Sequence, residues 1–323
     1  MTINEKPTDL IRSENASSEA STQLVLVENG SVVIPDAPAL LTGDFSKLGD
    51  DLLIISPSGE RFLVKDFFTT EPLPYLTDGE GIVVSGQVIA RVAQRPDPTE
   101  YAQEGQADGT GAIGIVESID GEVTVERADG TIVILSEGDA VYMGDLIITA
   151  EGATVGLKFL DETTFALGED GELILDELIY DPASDTGSAT FTLLAGAASV
   201  ISGSIAKTGA DAMKLDTPVA TIGIRGTKVI ATYDPATGQI SIVNRPELVA
   251  GGQQQTGEIT LTLPNGTVIG TVNNTNGGWQ FSAGETPTAT TFSEADVQAI
   301  GGAVDTLVQQ ITTCRAWRRP ERW

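Results

Sequence analysis

From Ile113 to Val243 the chain repeats one arrangement, short runs of alternating apolar residues set roughly ten residues apart and punctuated by glycine and acid. Gly121-Glu-Val-Thr-Val-Glu-Arg127 places Val123 and Val125 on one face. Asp129-Gly130 then turns the chain into Thr131-Ile-Val-Ile-Leu135. Val155-Gly-Leu-Lys-Phe159, Thr163-Thr-Phe-Ala-Leu167, Gly171-Glu-Leu-Ile-Leu175 and Thr190-Phe-Thr-Leu-Leu194 continue the series. No helical period interrupts it, which leaves an all-β sandwich, barrel or β-roll of many short strands. The 36 glycines, set against 5% aromatic residues, suit strands joined by tight turns.

Around this block the composition divides the chain. Residues 1–30 are rich in Ser, Thr, Asn and Glu and predict a disordered tail. Met1 to Ala20 has no apolar core of a secretory leader, so a soluble, leaderless chain is expected. Residues 49–95 predict a small β module, with Asp51-Leu-Leu-Ile-Ile-Ser56, Arg61 to Phe68, Gly81 to Val84 and Gln87 to Val92 as its strands. A linker at 96–110 leads to a β domain at 111–245, and Gln253-Gln-Gln255 marks a second linker. Residues 257–285 predict a β-hairpin extension about Asn265-Gly266. Residues 293–313 predict one C-terminal amphipathic helix, with Ser293 and Asp296 as a capping box and a stripe from Val297 to Ile311 that covers a sheet. Residues 314–323 depart from this composition: they carry four of the 18 basic residues and two of the three tryptophans. An out-of-frame ending is expected there, with the native chain running on past Thr313.

The net charge of −28 disfavours nucleic acid and anionic membrane surfaces as partners, and no segment has the apolar length to insert in a bilayer. The absence of histidine removes the commonest general base and metal ligand. Cys314 is the single cysteine, so neither a disulfide framework nor a thiolate metal site can form within the chain. The acidic pairs Asp161-Glu162, Glu169-Asp170 and Asp176-Glu177 admit a reading as glycosidic acid/base pairs or calcium ligands. Their spacing matches no calcium loop, so solvated turn residues are expected, with no catalytic residue, no cofactor and at most weak Ca²⁺ binding. Gly109-Thr-Gly-Ala-Ile-Gly114 imitates a dinucleotide fingerprint but lies between a linker and strands, where such a site does not form.

Thr217-Pro-Val-Ala-Thr-Ile-Gly-Ile-Arg-Gly-Thr227 closes the strand series. Pro218 sets the start of a strand, Ile222 and Ile224 face one way, and Gly223 and Arg225 face the other. Gly226 admits a bulge or close backbone approach before Thr227 resumes the strand. Arg225 is the one candidate ligand contact, set against a structural role paired with an acid such as Asp216.

With Gly138-Asp-Ala-Val-Tyr-Met-Gly-Asp-Leu-Ile-Ile-Thr149 and Gly196-Ala-Ala-Ser-Val200, this signature makes the span Ile113 to Tyr233 resemble the FecR domain family. The resemblance implies a FecR-like β domain in which Thr217, Pro218, Gly223, Arg225, Gly226 and Thr227 are structural. Family members of the iron-citrate type join such a domain to a membrane helix and a sigma-factor-binding segment. Neither feature is legible here. Residues 50–92, through Asp51-Leu-Leu-Ile-Ile, Ser58-Gly-Glu-Arg and Val64-Lys-Asp-Phe-Phe, also resemble the amino-terminal module of Bap-type bacterial adhesins. The expected function is a non-enzymatic structural or interaction module of an exported surface protein, with a protein or cell-surface polysaccharide partner. The alternatives are a FecR-type regulatory domain that binds a protein through a sheet edge, and a polysaccharide-processing enzyme.

Overall fold

The structure, a computed structural model, describes residues 22–95, 111–181, 183–184, 186–209, 211–248 and 253–314. The expected linker at 96–110, the span Met1 to Ala20 and nearly all of the expected anomalous tail lie outside the described residues.

The amino-terminal module starts earlier than its sequence suggests. Thr22–Val25, inside the stretch expected as a disordered tail, is a strand that runs parallel to Arg61–Val64. Asp51–Ile55 and Asp44–Leu48 extend that sheet antiparallel. A second sheet joins Ser31–Val33, Tyr75–Thr77 and Val83–Val84. Between them, Asp36 accepts a hydrogen bond from the Ala39 amide and starts helix α1, Ala37–Thr42. The expected strand Gln87 to Val92 is instead helix α2, Gly86–Ala93, capped by Ser85. The β-branched Val88, Ile89 and Val92 favour a strand locally. What decides against it is the buried set Val88, Ile89, Ala90 and Ala93, which lies together only on a helix. The module is therefore mixed α/β, cored by Val32, Ile34, Leu52, Ile54, Phe62 and Phe67.

Among the described residues the rest of the chain is all-β apart from two helices, and its strands form two layers joined through one shared strand. One layer runs, by its ladders, Ala140–Val141, Gly114–Asp120, Thr154–Phe159, Thr164–Leu167, the second half of Thr186–Ile201, Lys228–Asp234, Gln239–Arg245, Gly277–Ser282 and Ala289–Thr291. The other runs Ile132–Ile134, Val123–Glu126, Leu146–Thr149, Glu172–Asp181, the first half of Thr186–Ile201, Met213–Thr217, Ala220–Arg225, Glu258–Thr262 and Val268–Val272. Thr186–Ile201 belongs to both layers. It changes layer at Gly196, whose φ of +85° and approach to Gly171 and Asp170 leave no room for a Cβ. Helix α3, Ile205–Thr208, follows this strand.

Strands 258–262 and 268–272 pair as the expected hairpin about Asn265-Gly266, and with 277–282 and 289–291 they are members of these two layers rather than a separate extension. The core between the layers holds Val125, Leu157, Phe165, Phe191, Ile222 and Trp279, all essentially inaccessible. Phe159 and Phe165 pack their rings 5.0 and 5.6 Å from Phe191.

Helix α4, Glu294–Cys314, covers the outside of the first layer. Its start is the expected capping box: the Asp296 amide donates to Ser293 Oγ, and the Ser293 amide donates to Asp296 Oδ2 at 2.9 Å. Val297, Val304 and Val308 pack on Ala166, Ile230 and Val243, and the helix kinks at Gly301. An ion pair between Lys228 and Asp305 at 2.7 Å, buried on both sides, fixes the helix to the sheet.

Candidate functional site

The signature Thr217 to Thr227 folds into a tight hairpin. Thr217 and Ala220 close it, the Ala220 amide donating to Thr217 Oγ1 and that hydroxyl donating to the Ala220 carbonyl, both at 3.0 Å. Pro218 occupies the turn between Met213–Thr217 and Ala220–Arg225. Ile222 and Ile224 are buried and Arg225 is exposed, as alternation requires. Gly226 has φ +59° with open space around it. Thr227 is fully buried: its amide donates to Ser202 Oγ, and its hydroxyl donates to Asn244 Oδ1 at 2.6 Å.

The expected pairing of Arg225 with Asp216 does not occur. Asp216 Oδ1 accepts from Thr221 Oγ1, and Oδ2 accepts from Arg91 at 2.7 Å. Arg91 belongs to α2, so the amino-terminal module clasps the signature hairpin. The same guanidinium reaches Asp176 Oδ1 at 3.2 Å and Thr192 Oγ1 at 2.9 Å. Backbone contact adds to it, the Ser85 amide donating to the Pro218 carbonyl at 2.7 Å. Arg95, one turn on, donates to the carbonyls of Gly144 and Glu126. Burial pushes the Asp176 carboxyl up to about 6, against the lowering influence of Arg91.

Arg225 opens instead onto a cleft of about 480 Å³, lined by Lys207, Gly226, Gln255, Thr256, Gly257, Glu258 and Asn273. Two backbone segments approach closely beside it. A Cβ on Gly257 would overlap the carbonyl oxygens of Arg225 and Gly226. Sequence reasoning missed both Gly257 and Arg91, because each acts on the signature from a distant part of the chain.

The acidic pairs are not gathered into one site. Asp161 is buried and accepts from the Thr163 amide and hydroxyl at 3.0 and 2.7 Å and from the Ile205 amide at 3.3 Å, tying a turn to α3. Glu162 pairs with Lys158 at 2.6 Å, Glu169 accepts from the Gly152 amide, and Glu177 accepts from the Ser188 hydroxyl. Asp161→Asn is expected to lower stability by about 2 kcal/mol, since an amide cannot accept at both of its terminal positions. Chemical denaturation measures this, and an unchanged midpoint contradicts the bracing role. Among the described residues no group of three or more His, Cys, Asp or Glu is placed to hold a metal ion. Nor, among them, is any helix long and apolar enough to cross a membrane.

No curated protein matches the chain. A solved structure described as a cell surface anchoring domain is 32% identical over 20% of this chain and 83% of its own, with a TM-score of 0.19. Two crystal structures of a candidate anti-sigma factor from Parabacteroides distasonis are each 13% identical over 48% of this chain, with a TM-score of 0.35. The match covers 63% of one and 62% of the other. The model of the family described as FecR protein matches residues 145–244, from the Asp145 turn through the whole signature hairpin to the buried Asn244.

Proposed function

We propose that the β domain is a non-enzymatic, FecR-type regulatory module that recognises a protein partner by accepting a strand on the edge Ile132–Ile134. The observation that carries this reading is the edge itself. Ile132, Val133 and Ile134 are 58%, 38% and 67% exposed, and among the described residues they pair on one side only, with Val123–Glu126. The Arg127 amide donates to the Thr131 carbonyl and the Leu135 amide donates to the Val123 carbonyl. By antiparallel alternation Val133 bonds inward, and the amides and carbonyls of Ile132 and Ile134 point out from the sheet. Edges of this kind are normally blunted by charge, proline or a bulge. The opposite edge of the same layer, Val268–Val272, has such a bulge in its ladder beside Thr262. Three consecutive exposed apolar residues on this edge suit a partner strand, whose backbone would complete the ladder. The FecR match over 145–244 supports the regulatory assignment, and the dispersal of the acidic pairs supports the absence of catalysis.

Ile134→Pro removes one outward amide without touching the inward ladder, whereas Val133→Pro breaks the bond to Val125. Affinity retrieval with the wild-type chain and with Ile134→Pro, followed by hydrogen exchange of the complex, tests the reading. The expected result is a partner that the proline variant loses by about tenfold or more, with new protection at Ile132 and Ile134. Equal retrieval by both baits, or protection confined to another surface, rejects it. A sigma factor in the complex supports a transcriptional circuit; an envelope protein places the same module in surface assembly.

A further inference from the structure

A second surface lies near the other end of the same layer, around the signature hairpin, and it is polar. Of the 12 basic residues among the described ones, seven sit in ion pairs with carboxylates, and Lys47 lies over the Phe68 ring. Of the remaining four, Lys207, Lys214 and Arg225 cluster here. Lys214 stands opposite Gly223 in the ladder, on the outward side, and Arg225 stands opposite Glu258. Lys207 and Arg225 both line the 480 Å³ cleft, with Glu258 as the one carboxylate among its walls. Asp211 lies beside Gly223 and Glu247 lies within reach of the Lys207 charge, so the excess is confined to the cleft walls, where two cations face one carboxylate on a chain of net charge −28.

The remaining wall residues define the ligand. Gln255, Thr256 and Asn273 offer amide and hydroxyl groups, and among the described residues no apolar or aromatic side chain lines the cleft. Protein interfaces draw their affinity from buried aromatic and aliphatic anchors, for which nothing here provides a socket. Amides and hydroxyls match the alternating donors and acceptors of a sugar, and a guanidinium fork matches a carboxylate. We propose that this cleft binds a carboxylate-bearing carbohydrate, an oligouronate, with Arg225 and Lys207 on its carboxylates and Gln255, Thr256 and Asn273 on its hydroxyls. The site is independent of the strand-accepting edge.

Calorimetric titration of the full chain with trigalacturonate tests this, alongside fully methyl-esterified trigalacturonate and triglutamate. Trigalacturonate is expected to bind with an affinity that falls as salt rises. Arg225→Gln and Lys207→Gln should each weaken binding about tenfold, and Arg225→Lys should lie between wild type and Arg225→Gln. Because Arg225 is exposed, these variants should keep the wild-type melting profile. The ester is expected not to bind. The proposal is overturned by equal binding of the ester, by unchanged affinity in both glutamine variants, or by no binding of trigalacturonate at millimolar concentration. Triglutamate binding as tightly as trigalacturonate also overturns it, and assigns the cleft to acidic peptides.

Discussion

Arg91→Ala is expected to free the amino-terminal module from the β domain and to split one thermal transition into two. The guanidinium neutralises two carboxylates, Asp176 and Asp216, whose side chains are 11% and 7% exposed. Its removal leaves both charges without that partner, a loss of about 3 kcal/mol. This is the low end of the range for a broken buried pair, because Arg91 itself keeps 28% exposure. Differential scanning calorimetry reads the outcome. A single transition at the wild-type temperature would show that apolar packing alone holds the module in place.

The same clasp sets a pH dependence of unusual sign. Burial raises the Asp176 carboxyl to about 6, above its value in an unfolded chain. Between about pH 4 and 6 the folded state therefore binds more protons than the unfolded one, and this group's contribution to stability rises as pH falls through that window. Asp176→Asn should abolish the rise, which is bounded at about 3 kcal/mol by the two-unit displacement. Arg91→Ala should enlarge it, because the guanidinium opposes the effect of burial. Denaturation midpoints at about pH 7.5 and about pH 5 on the three chains check both signs.

Gly257→Ala is expected to be the more damaging of two glycine substitutions at the signature, although the sequence draws attention to Gly226. At Gly226 an added methyl group meets open space, and the cost is the left-handed backbone alone, about 1 kcal/mol. At Gly257 the methyl group overlaps two backbone carbonyls that cannot rotate away, so the strands must part, at about 3 kcal/mol. The cleft beside Arg225 should deform with them. Equal midpoints for the two variants in urea would show that the close approach of these backbones is not what shapes the site.

What could be read from the sequence was local. Alternation at Val123 and Val125, the Asp129-Gly130 turn, the Ile222/Ile224 face and the Ser293–Asp296 box depend on neighbours within a few residues, and each stands in the structure. The errors lie where distant chain decides. Thr22–Val25 is polar at its start and is a strand only because Arg61–Val64 offers it an edge. Gln87 to Val92 is β-branched, yet helical because its module needs one buried face there. Glu258–Thr262 reads as half of a private hairpin, and its other neighbour is Ala220–Arg225, across the second linker. Arg225 is the guanidinium near Asp216 in sequence, whereas the one that reaches it in space comes from Arg91, 125 positions away.

The strand Thr186–Ile201 has a mechanical corollary. Sixteen residues of it are stitched into both halves of the molecule, so neither half can peel open while the other stays shut. Tension along this chain should meet a single yield point, set by shear across that seam, instead of a staircase of small ruptures.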